Sequence, residues 1–199
     1  MKLYGSLTSP YVRKVRVFLK EKGIEHEFII EGPGDAAGNV SRLNPFGKVP
    51  VLVRDDGEAL FESPMIIDYL DSLPGPTLIP QPGEARWRVQ RWHALGQGIA
   101  DAVVARLMEI RRRPEHQDPA LIHKQEAKVA TALAFAETQI QGGEYLTGSQ
   151  LTLADIAMGV ALAYMDLRYE HAWQPSYPRL AAWFAVFARR PAFVETMPS

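Results

Sequence analysis

Ser9 is the first residue whose type and position suggest chemistry, because it stands directly before Pro10 at the predicted start of a helix. Serine is a favoured N-cap and proline fits the first helical position, so capping alone explains the pair. The same geometry also suits an anion, since a helix N-terminus offers N–H donors and positive potential. A substrate thiolate placed there would have its pKa lowered and could accept a hydrogen bond from the serine hydroxyl. Lowering a thiol pKa by about two units takes roughly 2.7 kcal/mol, which these effects can supply together.

Two further motifs, Val49-Pro50 and Glu62-Ser63, suggest binding of a peptide-like ligand. A proline at a strand start is often only an edge feature, but a cis bond would turn the N–H and C=O of Val49 outward, free to pair with an extended peptide. Ser63 is a natural N-cap at a second predicted helix start, which suits a carboxylate. Glu62 beside it could accept a hydrogen bond from an ammonium group.

Three cations, Arg13, Lys14 and Arg16, crowd the first turns of the helix that Ser9 begins. Cations are disfavoured at a helix N-terminus, so an anionic ligand would offset them. The alternative is that they are solvated or paired with nearby carboxylates.

The composition excludes several other classes of site. Cysteine is absent, which removes disulfides, cysteine-ligated zinc and cysteine nucleophiles. The five histidines form no i, i+4 ligand pair, so we expect no metal site. The net charge of −1 argues against general nucleic-acid binding. No apolar run of about 18 residues or leader-like segment is present, and we expect neither a membrane span nor secretion.

The elements that must position these residues change character along the chain. Up to residue 72 the pattern predicts β-α-β, a glycine-rich connector, then β-β-α, with Asp56-Gly57 turning a hairpin. This is the order of an α/β thioredoxin-like domain. Four prolines between Leu73 and Gly83 indicate a linker, and only helical patterns follow. The sequence therefore predicts a thioredoxin-like domain at 1–73, a linker at 74–83 and an all-α domain at 84–199.

Together these motifs resemble the cytosolic glutathione transferase family, over essentially the whole chain. Each motif is common alone, but their order and spacing are specific. The segments that carry the resemblance are Thr8-Ser9-Pro10-Tyr11, residues 44–50 (NPFGKVP), Phe61-Glu62-Ser63 and residues 151–155 (LTLAD). The last segment matches the capping box of the family's helical domain, so we interpret Thr152 and Asp155 as structural.

The resemblance implies a role for each candidate residue. Ser9 takes the place of the residue that activates glutathione, which indicates a serine-type class rather than a cysteine-type one. Pro50 matches the cis-proline of the family, with Val49 pairing with the cysteinyl backbone of glutathione. Tyr4 and Tyr11 are rival activators, since some classes use tyrosine.

The two ends of glutathione are assigned in the same way. Glu62 and Ser63 would hold the γ-glutamyl end, and Lys48 the glycine carboxylate. The glycine-rich stretch 31–39 offers no Lys or His, where some classes place another contact. Arg13 or Arg42 could substitute for it.

The function implied is a glutathione transferase that uses glutathione as co-substrate and attacks a small hydrophobic electrophile. The resemblance also implies a cytoplasmic homodimer. Two alternatives remain: a non-catalytic protein of this fold that binds a partner, and a glutathione-dependent isomerase, dehalogenase or peroxidase. Candidates for the wall of the second-substrate pocket are Met108, Arg111, Tyr164 and Trp173.

Overall fold

The protein is described from a computed structural model, at residues 1–34 and 38–198. The strands are β1 (Lys2–Gly5), β2 (Glu27–Ile30), β3 (Val51–Val53) and β4 (Ala59–Phe61). The helices are α1 (Pro10–Lys22), α2 (Asn39–Leu43), α3 (Ser63–Ser72), α4 (Glu84–Ile110), α5 (Pro119–Gln139), α6 (Leu153–Arg168), α7 (Pro178–Phe187) and α8 (Pro191–Val194). The chain divides into two compact units, residues 1–79 with 191–199, and residues 80–190.

The first unit is built on a four-stranded sheet in the order β2-β1-β3-β4. Strand β1 runs parallel to β2 and antiparallel to β3, so Leu3 lies between Phe28 and Leu52. Helices α1 and α3 pack against each other. Fully buried apolar side chains from the sheet and both helices form the core; they include Leu3, Phe18, Leu52, Ile66 and Leu70.

Gly5 sets the distance between β1 and the helix that carries Ser9. A Cβ atom at Gly5 would lie 2.5 Å from the side chain of Val12, which no real Cβ tolerates. Glycine therefore allows α1 to pack directly on the end of β1. The helix ends at Gly23, as the sequence predicts, because Gly23 adopts φ 68° and caps the last turn.

The second unit is helical, and α4 packs against both α5 and α6. A Cβ atom at Gly96 would lie 2.7 Å from the backbone of Ala157, so glycine permits the close approach of α4 to α6. At the start of α6 the buried Asp155 carboxylate accepts hydrogen bonds from the backbone N–H groups of Thr152 (2.9 Å) and Leu146 (2.7 Å). Across the described ranges, no helix is both apolar and long enough to cross a bilayer.

The last nine residues group with the first unit, whereas the sequence analysis assigns them to the helical domain. Helix α8 follows α7 after three residues, and it packs against α1. The Arg13 guanidinium donates to the carbonyl oxygen of Phe193 at 3.0 Å, and Lys20 pairs with Glu195 at 2.5 Å. These contacts join positions more than 170 residues apart in the chain.

His26, just before β2, gives the first unit a pH-dependent contribution to stability. Burial lowers the pKa of His26, and the nearby charges of Arg16 and Lys20 lower it further, against a hydrogen bond to the Ile24 carbonyl and the charge of Glu25. A histidine with a depressed pKa in the folded state stabilises the protein above its unfolded pKa of about 6.5 and loses that contribution as the pH falls.

We therefore expect the H26N variant to lose less free energy of unfolding than the wild type between neutral pH and pH 5. Denaturant titrations across this range measure the difference. The exposed His116 provides the control variant H116N, which should follow the wild type. Equal slopes for H26N and the wild type would contradict the assignment.

Candidate functional site

Ser9 occupies the N-cap of α1, with extended backbone angles of φ −75° and ψ 126°. Its hydroxyl oxygen accepts a hydrogen bond from the Val12 N–H at 3.4 Å. The hydroxyl hydrogen has no acceptor in the part of the chain that the structure describes. The side chain is half-buried. Ser9 thus caps the helix through its lone pairs and keeps its O–H free to donate to a ligand.

The segment 44–50 is organised by Asn44, which is only 1% exposed. The side chain of Asn44 donates to the Lys48 carbonyl at 2.8 Å and accepts from the Phe46 N–H at 3.0 Å. The Val49-Pro50 peptide bond is cis. Neither the N–H nor the C=O of Val49 is hydrogen-bonded within residues 1–34 and 38–198. The backbone of Val49 is therefore free to pair with an extended ligand, and the Lys48 side chain is exposed beside it.

Glu62 holds the N-cap position of α3, one residue earlier than the sequence analysis places the cap. The correction arises because Ser63 is already the first helical residue and is buried, at 2% exposure. Glu62 has φ 67° and ψ 115°, and it is the one non-glycine residue with positive φ among those described. No side chain caps this helix. The free N-terminus of α3 and the exposed carboxylate of Glu62 thus lie side by side.

The strand register brings the three motifs to one end of the sheet. Val51 pairs with Tyr4 near the end of β1 and with Phe61 at the end of β4. Residues 49–50 immediately precede Val51, residues 62–63 immediately follow Phe61, and α1 begins after the short loop that leaves β1. Ser9, Val49-Pro50 and Glu62-Ser63 therefore all follow or precede strand ends that lie at the same end of the sheet.

The three cations near the start of α1 are buried or half-buried rather than fully exposed to a ligand. Arg13 and Lys14 are buried, at 4% and 3% exposure, and the guanidinium of Arg16 lies 4.4 Å from the ring centroid of Phe28. Arg13 is committed to the carbonyl of Phe193, so its suggested role as a glutathione contact is not supported. Burial and, to a smaller extent, the charge of Arg16 lower the pKa of Arg13 to about 10.

Arg42 and the rival activators take other positions. The Arg42 guanidinium is exposed and donates to Asn39 at 2.7 Å. Tyr4 lies half-buried in β1, and Tyr11 is half-buried in the first turn of α1, close to Ser9 in the chain. Both tyrosines are thus in the first unit, but only Tyr11 belongs to the helix end that carries Ser9.

The four residues suggested for a second-substrate pocket divide into two pairs within the second unit. Met108 and Arg111 are exposed at the end of α4. Tyr164 and Trp173 are both only 6% exposed, and the Trp173 indole donates to Asp166 at 2.8 Å. Tyr164 and Trp173 are therefore buried, and their rings contact Arg168 (5.3 Å to the ring centroid) and Phe184 (5.9 Å between centroids).

Two residues that shape the site are missed by sequence reasoning. Within the motif 44–50 the sequence assigns Asn44 no separate role, although an Asn-Pro turn is a recognisable signal for a side chain that bonds its own loop. Glu31 accepts from the Val40 N–H at 2.6 Å and from the Asn39 amide at 3.1 Å, which ties the end of β2 to α2. Nothing in the residue pattern indicates that Glu31 makes these contacts with Asn39 and Val40. The described residues contain no group of three potential metal ligands.

Comparison with known proteins gives consistent matches over the whole chain. A family model described as Glutathione S-transferase, N-terminal domain, matches residues 3–78, and one described as Glutathione S-transferase, C-terminal domain, matches residues 98–185. The chain is 36% identical to the uncharacterized GST-like protein YibF of Escherichia coli strain K12, over 100% of this chain and 98% of that protein. It is 31% identical to glutathione S-transferase 3 of Zea mays, over 99% and 93% of the two chains. A glutathione S-transferase of Methylobacillus flagellatus, solved with bound glutathione, superposes with a TM-score of 0.93 at 42% identity, covering 100% of this chain and 99% of that one.

Proposed function

This chain belongs to the glutathione S-transferase family, and from that premise we propose that it binds glutathione and activates its thiol for attack on a small hydrophobic electrophile. The observation that carries the proposal is that Ser9, Val49-Pro50 and Glu62-Ser63 lie at one end of the sheet. The Ser9 O–H, the Val49 backbone and the uncapped N-terminus of α3 are each available to a ligand. The Methylobacillus flagellatus relative with bound glutathione supports the same ligand.

The thiol would lie at the N-terminus of α1. The helix has 13 residues, so its dipole places positive potential at Ser9, which favours a thiolate over a thiol. The free O–H of Ser9 donates to the sulfur and adds a charge-assisted hydrogen bond. The thiol proton leaves to solvent, and the thiolate then attacks the electrophilic carbon and forms the carbon–sulfur bond. A leaving group departs, an epoxide C–O bond breaks, or an activated double bond accepts the electron pair and is then protonated. The protein forms no covalent intermediate, and its contribution is activation and positioning.

The rest of glutathione would be bound by backbone hydrogen bonds and by charged side chains of the protein. The unpaired N–H and C=O of Val49 pair with the cysteinyl residue as an additional short strand. The uncapped N-terminus of α3 receives the γ-glutamyl carboxylate at Ser63, and the carboxylate of Glu62 accepts from the α-ammonium group. Lys48, exposed at the loop, pairs with the glycine carboxylate.

The backbone of Glu62 yields a prediction that separates binding from stability. A non-glycine residue at φ 67° costs about 1–3 kcal/mol, which is tolerated where the side chain serves a function. We expect the E62G variant to keep the wild-type free energy of unfolding or gain up to about 1 kcal/mol, while glutathione affinity falls about 20-fold for the lost ammonium contact. Chemical denaturation and calorimetric titration measure the two effects.

The E62Q variant is the matched control for this prediction. It keeps the backbone cost and loses the charge, so its stability should equal that of the wild type and its affinity should fall. Unchanged glutathione affinity in both variants would remove Glu62 from the site.

The proposal extends to assembly and location. We propose a homodimer in the cytoplasm, where glutathione keeps thiols reduced. Large apolar side chains are exposed on each unit, Phe46 at 66% and Met65 at 52% in the first and Trp87 at 68% in the second, which supports burial against a second copy. Sedimentation equilibrium measures the mass, and a monomer at micromolar concentration would contradict the assembly.

The activity is tested with a panel of electrophiles that includes an aryl halide, an epoxide and an unsaturated carbonyl compound. We expect glutathione-dependent turnover, above the uncatalysed rate, with at least one of them. Binding of glutathione without turnover on any compound would favour a non-catalytic relative that uses the fold to bind a partner.

A further inference from the structure

Arg13 is fastened to the C-terminal segment, residues 191–198, by two contacts with one residue. Its guanidinium Nη2 donates to the carbonyl oxygen of Phe193 at 3.0 Å, and its Cζ lies 4.0 Å from the centroid of the Phe193 ring. Arg13 is 4% exposed and Phe193 is 2% exposed. The interaction is therefore buried, where both a hydrogen bond to a charged donor and a cation–π contact are strongest.

The C-terminal segment is itself well held. Thr196 is fully buried, and its hydroxyl is within hydrogen-bond distance of the carbonyl oxygens of Ala192 (2.9 Å) and Phe193 (3.2 Å). The Phe193 carbonyl therefore faces two donors, Arg13 from α1 and Thr196 from its own segment. The segment presents a fixed acceptor and a fixed aromatic face to the guanidinium.

Arg13 also belongs to the turn that carries the Ser9 cap. The Arg13 N–H donates to the Ser9 carbonyl at 3.0 Å, which closes the first turn of α1. The contact made by the Ser9 hydroxyl to Val12, at 3.4 Å, is long and constrains the cap weakly. The hydrogen bond from the Val12 N–H to the Ser9 hydroxyl alone therefore fixes the first turn of α1 only weakly. The side chain of Arg13 adds a second attachment for this turn.

The groups described in contact with the Arg13 guanidinium are uncharged. A carbonyl oxygen and an aromatic face approach it, and its Nε has no hydrogen-bond partner among the described residues. With a pKa of about 10 the guanidinium stays charged at neutral pH. A buried positive charge on the first turns of α1 adds to the potential that favours an anion at the N-terminus of the helix.

We propose that Arg13 is a positioning residue for the thiol site. Through its contacts with Phe193, Arg13 holds the first turn of α1 and the Ser9 hydroxyl in the orientation that stabilises a bound thiolate. The inference rests on the proposed function and extends it, because it gives the C-terminal segment a part in thiol activation.

The test measures the pKa of the bound glutathione thiol from the ultraviolet difference absorbance of the thiolate over a pH series. Variants R13M, R13K and F193L are compared with E195Q, which alters the same segment at an exposed ion pair. We expect R13M to raise the bound-thiol pKa by about one unit, which lowers the thiolate fraction and kcat at pH 7 about threefold, with glutathione affinity changed about threefold or less. R13K should recover only part of the shift, because Lys keeps the charge and a donor for the carbonyl but lacks the planar guanidinium that lies over the Phe193 ring.

F193L keeps the carbonyl and loses the ring, so it should show a smaller rise in the thiol pKa. It also decides the question if R13M does not fold. E195Q should match the wild type. A thiol pKa equal to that of the wild type in folded R13M, or in F193L where R13M does not fold, would overturn the inference. If the wild type itself does not lower the thiol pKa, the proposed function fails instead, so the two failures are distinguishable.

Discussion

The S9A variant is expected to lose about 20-fold in kcat at pH 7 while its affinity for glutathione changes less than about fivefold. The hydroxyl of Ser9 stabilises the thiolate that attacks the electrophile, and a return of the bound-thiol pKa from about 6.5 to about 8.5 lowers the ionised fraction at pH 7 about 20-fold. Glutathione is held mainly along residues 49–50 and 62–63, so the ground-state complex survives. Steady-state kinetics with an electrophile found active in the panel, together with calorimetric titration of glutathione, measure the two quantities.

Two controls separate the thiol contact from helix capping. S9A loses the hydrogen bond to Val12, which at 3.4 Å we expect to contribute about 0.5–1 kcal/mol to the free energy of unfolding. S9G caps nearly as well as serine but has no hydroxyl, so it should be more stable than S9A and equally slow. T8A, at the exposed neighbouring position, should behave as the wild type. Full activity in S9G would mean that Ser9 only caps the helix and that a tyrosine such as Tyr11 activates the thiol.

The D155A variant is expected to lose about 3–5 kcal/mol in the free energy of unfolding, the largest effect on stability that we predict. Asp155 is fully buried and accepts from the Leu146 N–H (2.7 Å), the Thr152 N–H (2.9 Å) and the Thr152 hydroxyl (3.0 Å). Alanine would leave the two backbone N–H groups without this acceptor, whereas the Thr152 hydroxyl also lies 3.1 Å from the Thr147 hydroxyl. Burial raises the pKa of Asp155, and the three hydrogen bonds oppose that shift.

Asp118 provides the matched control for D155A, because it also caps a helix through two backbone N–H groups, of Ala120 (2.9 Å) and Leu121 (3.3 Å), but is exposed. D118A should cost about 1 kcal/mol, as an exposed cap does. Urea denaturation measures both variants. Equal losses for D155A and D118A would show that burial of Asp155 adds nothing to its capping role.

The predicted fold class, an α/β thioredoxin-like domain followed by an all-α domain, is confirmed by the observed elements and the family match. It could be predicted because its signals are local. Ser9-Pro10 starts a helix, Asp56-Gly57 turns a hairpin, and the Thr152 to Asp155 spacing marks a buried cap. Each of these patterns acts within a few residues, so the local sequence is enough to predict where the helix or turn begins.

The features that could not be predicted depend on distant parts of the chain. The positive φ of Glu62 follows from the way β4 enters α3, since glutamate has no intrinsic preference for that conformation. The contact of Arg13 with Phe193 joins the two ends of the chain. Basic residues in a helical first turn look like ligand contacts in the sequence, and only the fold shows that Arg13 turns inward.

The identity of the family came from the combination of motifs, and it is confirmed. The roles of Ser9, Lys48, Val49, Pro50, Glu62 and Ser63 remain predictions. Their placement at one end of the sheet follows from a register that the sequence pattern alone does not specify, because β3 is apolar at all three positions and its pattern would equally fit a shift by one residue.

The most direct test of thiol activation is the number of protons released when glutathione binds, obtained by calorimetric titration at pH 7 in buffers of different ionisation enthalpy. If the site lowers a thiol pKa from about 8.5 by about two units, binding should release about 0.7 of a proton. S-methylglutathione, which has no thiol proton, should bind at the same site and release none. Equal proton release by the two ligands, or no heat with glutathione at millimolar concentration, would contradict a glutathione-activating site.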